Sequence, residues 1–376
     1  MKKAKKKSRF SLGKTLGLSL VGALLGGLLG VGSSVTYALI DVKTDEKKMN
    51  SVTGVVYDDF QIHFMELGNI YAGDSIYIKA GENDILIDAG SRASSKTTIK
   101  SYVDRYCEDG KLEYVIATHA HQDHIAAFGC ADGIFYSYEI GTIIDFPLTN
   151  SKTSTYQAYR EAKEYAIARG AVNYSALDCW NEIGGAKRTY ALGENITMQI
   201  LYNTYYETAT TNENDYSVCL LLTCGEYKFL LTGDLEAKGE EYFVEYNKET
   251  IKDCTLFKAG HHGSYTASGE KLLETVRPEI SVCTCVCGST EYTKNNMNTF
   301  PSQAYIDRIS AYTSQVYVTS LCTDYESGDY TSMNGDIIVS SDSANVGIAC
   351  SKDTTPLKDT SWFRENRTCP SAWLNG

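Results

Sequence analysis

Five of the chain's six histidines fall into two short runs, and each run follows a stretch that reads as a buried strand. The first is Tyr114-Val-Ile-Ala-Thr118, continued by His119-Ala-His121-Gln-Asp123-His124. The second is Thr255–Ala259, continued by Gly260-His261-His262-Gly263-Ser264. Only His63 lies elsewhere. Histidines that merely filled a core would be scattered. Gathered at strand ends with an acid between them, they require a fold that brings strand ends to one rim. His119 and His121, two apart in extended backbone, point the same way. Asp123 and His124 then open a helix and turn back toward the same point. Imidazole and carboxylate donors on a rigid strand end suit a borderline or hard divalent ion.

Asp234 has the same setting, in Leu230-Leu-Thr-Gly233-Asp234, where a strand runs into a glycine and then an acid. A carboxylate there can offer one oxygen to each of two ions. His261 and His262 point apart if their backbone stays extended. One ligand and one outer or proton-transfer residue are therefore expected from the pair.

The rest of the chain supplies the scaffold. Gln61–Leu67, Ser75–Lys79, Asp84–Asp88 and Tyr114–Thr118 alternate or run apolar like strands, with helical spacing over Thr97–Tyr106 and Thr155–Ala168. The second half repeats the style. Ser217–Thr223 and Tyr227–Leu231 form a hairpin, Glu236–Tyr246 and Lys271–Val276 are helical, and Thr255–Ala259, Ile280–Val286, Val316–Thr319 and Asp336–Val339 are strands. Two runs of sheet with interspersed helices predict an α/β fold, a four-layer αββα sandwich with helices on both outer faces. One hydrolase-size domain is expected over 58–350, with a linker at 39–57 and a tail at 351–376.

With these pieces assembled, the chain resembles the metallo-β-lactamase superfamily over roughly residues 60–345. The resemblance rests on Ile87-Asp88-Ala-Gly90, the His-x-His-x-Asp-His run, Gly233-Asp234 and Gly260-His-His-Gly-Ser264, in family order. It implies that His119, His121 and Asp234 hold one metal, and that Asp123, His124, Asp234 and His261 hold another. It also implies that Asp88 orients the first cluster from outside the ligand set. One departure narrows the branch. No histidine stands between His124 and His261, where lactamases, lactonases and glyoxalase-type members carry one. Asn212-Glu-Asn214-Asp-Tyr-Ser217 occupies that region instead. The pattern is similar to the hydrolase domain of ComEC-type competence proteins and to secreted phosphorylcholine esterases. Asn214 and Ser217 are candidate residues lining the site.

The reaction expected is phosphodiester hydrolysis by metal-activated water, with one or two zinc ions, or manganese as the next choice. Asp123 or Asp234 is the expected proton acceptor, and His262 the group that serves the leaving oxygen or orients Asp234. The substrate is a phosphodiester, either a short nucleic acid or a phosphorylcholine-like ester. A non-catalytic extracellular binding module that keeps the metal is the alternative of another class. Tyr156, Tyr159, Tyr165, Tyr174, Tyr202, Tyr205, Tyr206 and Trp180 lie between the motifs, either as packing or as an aromatic rim.

Charge bears on compartment and partner. Residues 1–38 carry Lys2, Lys3, Lys5, Lys6, Lys7, Arg9 and Lys14 and no acid, so removing their +7 from the formal −12 leaves −19 for the remainder. A body that acidic disfavours coating of long polyanions. The basic start, the apolar Leu16–Val31 and Thr36-Tyr37-Ala38 read as a signal peptide or an uncleaved membrane anchor, with the body outside the cytoplasm. The membrane is then a partner only through that segment, and no stable protein partner is expected. The 12 cysteines permit disulfides in an exported chain, Cys350–Cys369 among them. Cys283, Cys285 and Cys287 alternate along one strand, as buried residues or as a thiolate site.

Overall fold

The computed structural model describes residues 53–374. The basic and apolar N-terminal stretch expected to export or anchor the chain lies outside them. Among the described residues no helix is long and apolar enough to cross a membrane.

The strands, in chain order, are β1 Thr53–Gly54, β2 Phe60–Phe64, β3 Ile76–Ala80, β4 Asn83–Ile87, β5 Lys111–Ala117, β6 Glu139–Asp145 and β7 Val172–Ser175. There follow β8 Thr189–Gly193, β9 Ile196–Leu201, β10 Cys219–Cys224, β11 Tyr227–Leu231, β12 Leu256–Lys258, β13 Ile280–Cys287, β14 Gln315–Asp324 and β15 Asp329–Ser332. Last come β16 Ile337–Ser341 and β17 Val346–Cys350. They form a nine-stranded sheet, β1-β17-β16-β2-β3-β4-β5-β6-β7, and an eight-stranded sheet, β15-β14-β13-β12-β11-β10-β9-β8. The fold is therefore mixed α/β with two sheets. The stretch expected as a linker contributes in part, since Thr53 and Gly54 pair with Cys350 and Ala349 at a sheet edge.

Alternation along the strands sorts side chains between two cores. Leu220 and Leu222 of β10 and Phe229 and Leu231 of β11 join the core that holds Phe60, Ile62, Ile85 and Ile116 of the first sheet. Leu221 and Leu230 face the other way, onto Phe243, Leu272, Leu273 and Ile306 from the helices Ala237–Ile251, Glu270–Val276 and Gln303–Ile309. The helices Ser95–Val103, Gln122–Gly129 and Ser154–Ala168 pack into the first core. Between the sheets, Phe60 and Phe229 meet with ring centroids 5.2 Å apart, and neither is exposed. Phe229→Ala is expected to lower unfolding free energy by about 3–5 kcal/mol, read from urea denaturation; a loss under about 1 kcal/mol would contradict this packing.

Each sheet has a run of parallel strands, β4 to β7 in the first and β11 to β14 in the second. Loops at the carboxyl ends of parallel strands are where open sheets place ligands. The segments singled out above follow β4, β5, β11 and β12.

Residues after β17 pack on the body. Leu357, Phe363 and Trp373 enter the second core, and Trp373 Nε1 donates to Thr313 O at 2.9 Å. All 12 cysteines are free, so Cys350 and Cys369 do not form the expected bridge. Cys350 lies in the first core, and Cys369 packs against the second. Cys283, Cys285 and Cys287 are buried in the second core, where burial pushes their thiols up, against thiolate ligation.

Candidate metal centre

The site begins with the turn after β4. Asp88 adopts a left-handed backbone, φ 57°. Its Oδ1 accepts the Thr118 N–H at 2.8 Å, and its Oδ2 accepts Thr118 Oγ1 at 2.7 Å and His124 Nδ1 at 2.7 Å. Gly90 lets the helix Gln122–Gly129 approach this turn: a Cβ there would lie 1.5 Å from Asp123 O. Ala89 N donates to His124 O at 2.7 Å, which locks the helix start against the turn. His121 is the residue before that helix, with extended backbone, so the run changes direction between His121 and Asp123.

On the second sheet, Gly233 turns the chain after β11 with φ 55°. Ser217 Oγ accepts the Asp234 N–H at 3.0 Å and fixes that acid's backbone. After β12, His261 and His262 are both left-handed, φ 46° and 55°, a conformation that costs roughly 1–2 kcal/mol per non-glycine residue. The backbone is a tight turn, not extended, and this decides which ring faces inward.

The inward ring is His262. It is fully buried, with Nε2 3.3 Å from Asp234 Oδ2 and 3.5 Å from Asp123 Oδ2. His261 turns aside, its Nδ1 3.1 Å from Glu236 Oε1, 3.2 Å from Thr266 Oγ1 and 3.4 Å from Asn214 Nδ2. The expected placement of the two is thus exchanged: His262 stands among the converging donor atoms and His261 beside them. Asn214 lies with His261 and Glu236 rather than against the acids.

His119 and His121 come together as expected, Nε2 to Nδ1 at 3.0 Å, and the His119 and His124 ring centroids are 4.2 Å apart. His124 reaches across to the second sheet, with Nε2 3.1 Å from Asp234 Oδ2. Donor atoms of His119, His124 and Asp234 lie within 4.8 Å of one another, as do those of Asp123, His124 and His262.

Tautomers follow from the partners. His262 Nδ1 faces the carbonyl of Thr284 at 2.9 Å, and a carbonyl only accepts. His124 Nδ1 faces the Asp88 carboxylate. Both rings therefore carry a proton on Nδ1 and aim Nε2 at the same oxygen, Asp234 Oδ2. Nε2 of His262 is buried and has no hydrogen-bond partner. A lone pair facing a carboxylate is repulsive, and either a metal ion between them or a second proton on the ring relieves it.

Without a metal ion, the acids draw that second proton onto the rings. Burial would lower His262 and His124, but Asp234 above all reverses this, raising His262 to about 10 and His124 well above its ordinary value. Burial would raise Asp123 and Asp234, yet the facing imidazoles hold both carboxyls well below their usual range. His119, desolvated and beside His124, is kept neutral, the state in which imidazole binds metal. The donor set fits a divalent cation. His119, Asp123, His124, Asp234 and His262 are the residues positioned to hold it, with His121 set against His119.

Several groups at the site gave no sequence signal. Asp74 and Lys258 are buried beneath it, Lys258 Nζ 2.7 Å from Asp74 Oδ2. Tyr292 donates to Asp123 Oδ2 at 3.0 Å, and Phe300 has ring centroids 5.8 Å from both His261 and His262. The aromatic residues that touch the site thus come from the segment after β13. Tyr159, expected among the rim candidates, is buried and donates to Asp145 Oδ2 at 2.9 Å.

Removing the Asp88 carboxylate frees the His124 ring. Asp88→Ala is expected to weaken zinc affinity about 10–100-fold, by titration against a competing chelator. Unchanged affinity in a folded variant would refute that role.

Comparison with known proteins finds matches to parts of the chain. Residues 68–129 match the family model described as Metallo-beta-lactamase superfamily. Recombination protein 2 of Haemophilus influenzae is 31% identical over 116 residues, covering 31% of this chain and 13% of that protein. Competence protein ComA of Neisseria gonorrhoeae is 24% identical over 250 residues, covering 66% of this chain and 30% of that protein. The chain therefore spans less than a third of the length of these relatives. Among solved structures, the metallo-beta-lactamase fold protein YhfI of Bacillus subtilis covers 73% of this chain and 100% of its own, at 12% identity and TM-score 0.41.

Proposed function

We propose, from the match of residues 68–129 to the metallo-beta-lactamase superfamily model and from the converging donors, that the chain is a metal-dependent hydrolase of phosphodiesters that works outside the cytoplasm. The observation that carries the metal reading is the convergence of two Nδ1-protonated imidazoles, His124 and His262, on Asp234 Oδ2. Zinc is the first candidate and manganese the second, given imidazole and carboxylate donors without a thiolate. When bound, such an ion supplies Lewis acidity and brings the pKa of water toward neutrality.

The chain's own residues would do the rest. Asp123 is less deeply buried than Asp234, 9% against 1% exposed, and is the carboxylate placed to take a proton from the attacking water. His262 is too enclosed to meet a leaving group. His261, with 21% side-chain exposure and Nδ1 held by Glu236, is placed to hydrogen-bond the departing oxygen. The apolar ring of Phe300 packs beside both histidines.

The names of the relatives support a nucleic-acid substrate, and the acidic body favours a short strand over long duplexes. A phosphorylcholine-like ester is the second reading, favoured by the Tyr292 ring, which is 55% exposed beside Asp123. The basic and apolar N-terminal segment supports delivery across, or attachment to, a membrane.

The test is a substrate panel with the zinc-loaded and the manganese-loaded protein: single-stranded DNA, nitrophenyl phosphorylcholine, bis-nitrophenyl phosphate, a lactone and a lactam. Turnover is expected with the phosphodiesters. Robust lactam or lactone opening without diester cleavage would overturn the assignment, and metal binding without any turnover would point to a binding module.

A further inference from the structure

Asp74 and Lys258 are a buried ion pair lying across the two sheets. Asp74 precedes β3 in the first sheet, and Lys258 ends β12 in the second. Each is 1% exposed. Lys258 Nζ sits 2.7 Å from Asp74 Oδ2, 3.2 Å from the carbonyls of Gly233 and Ala259, and 3.5 Å from Asp234 Oδ1. An ammonium has three protons to donate, and this cage uses them all.

The pair reaches the metal centre at two points. Through Lys258 it engages Oδ1 of Asp234, so that Oδ2 is the oxygen turned toward His124 and His262. Through Asp74 it engages the outer nitrogen of His262: Asp74 Oδ1 lies 3.3 Å from Nδ1 and also accepts the Thr284 hydroxyl. The backbone of Asp74 is fixed as well. Its N–H donates to Asp123 O at 3.0 Å, and its carbonyl accepts the Gly90 N–H at 2.9 Å. One residue thus ties together the His-Asp helix start, the Asp88–Gly90 turn and the His262 ring.

Charge gives the pair a second reason to exist. Asp74, Asp88, Asp123 and Asp234 are all 9% exposed or less. Buried carboxylates this close repel one another. Lys258 is a permanent cation among them, held by the chain rather than drawn from solution.

We propose that Asp74 and Lys258 are positioning residues of the metal centre, the ammonium setting which Asp234 oxygen faces the ions and the carboxylate setting the orientation of the His262 ring. This rests on the metal reading of the site but not on any substrate. Neighbours of metal ligands that orient them are worth about 10–100-fold in metal affinity. The pair should also be coupled, because removing one partner leaves the other as an uncompensated buried charge, whereas removing both does not.

The experiment uses the full chain, with Zn2+ alone as the probe, in wild type, Asp74→Asn, Lys258→Met and the double variant. The dissociation constant for zinc is measured against a chromophoric chelator, and the thermal midpoint is measured with and without zinc. Each single variant is expected to bind zinc about 10–100-fold more weakly, and the double to lose less than the product of the two singles. A merely structural pair would lower the zinc-free midpoint and leave the zinc affinity of the folded protein unchanged. Singles within twofold of wild type, or a strictly multiplicative double, overturn the proposal. If a single variant does not fold, the double decides: weakened zinc binding supports the proposal, and wild-type affinity overturns it. A wild type that binds no divalent ion defeats the metal reading itself, whereas indifferent variants of a zinc-binding wild type defeat only the role of the pair.

Discussion

Asp234→Ala is expected to abolish both metal binding and diester hydrolysis, with zinc affinity falling by more than about 100-fold. The bound follows from position. Residues that only orient a ligand reach that level, and Asp234 is placed as a ligand in its own right. Its Oδ2 lies 3.1 Å from His124 Nε2 and 3.3 Å from His262 Nε2, so it is the carboxylate on which rings from both sheets converge. Neither Asp74, engaged by Lys258, nor Asp88, engaged by His124, is placed to replace it. The folded state should survive, since Asp234 belongs to a turn and not to either apolar core. Circular dichroism establishes folding, and chelator competition reads the affinity. Retention of zinc within tenfold of wild type would mean that the centre is built elsewhere.

The second large effect separates the adjacent histidines. His262→Ala is expected to lose zinc affinity by more than about 100-fold. His261→Ala is expected to keep zinc within about tenfold and to lose turnover by about 10²–10⁴, the range of general acid–base catalysis. The difference arises from consecutive left-handed residues after β12, which send His262 under the acids and leave His261 against Glu236. Equal zinc loss in both variants would mean that the pair acts as a unit. Loss confined to His261→Ala would restore the assignment expected from the motif alone.

That pair also marks the limit of what the sequence discloses. The strands that carry the site were legible because parallel strands buried on both sides are nearly uniform apolar runs; Tyr227–Leu231 has the bounds expected for it. Convergence of the first histidine run was legible too, since a strand end followed by a helix start leaves few directions for His119, His121 and His124. Extended backbone was assumed at His261 and His262, and the assumption failed because nothing in Gly-His-His-Gly announces a left-handed turn. Weakly patterned strands escaped for a similar reason. Val172–Ser175, Thr189–Gly193 and Val346–Cys350 are short and lie at or near sheet edges, where the apolar signal is thin. Asp74 and Lys258 gave no sign at all. A lone Asp before a strand and a lone Lys at the end of one look solvent-exposed until folding places one against the other. The expected aromatic rim shows the same blindness from the other side, since Tyr159 serves the core while Tyr292, in an unpatterned loop, meets Asp123.

The most direct measurement of the central claim is a crystal structure of the protein grown with zinc, with anomalous data collected on both sides of the zinc edge. The expected result is a peak bonded to Asp234 Oδ2 and to Nε2 of His124 or His262. No peak at that point, or one ligated by His261 and Glu236 instead, would contradict the account.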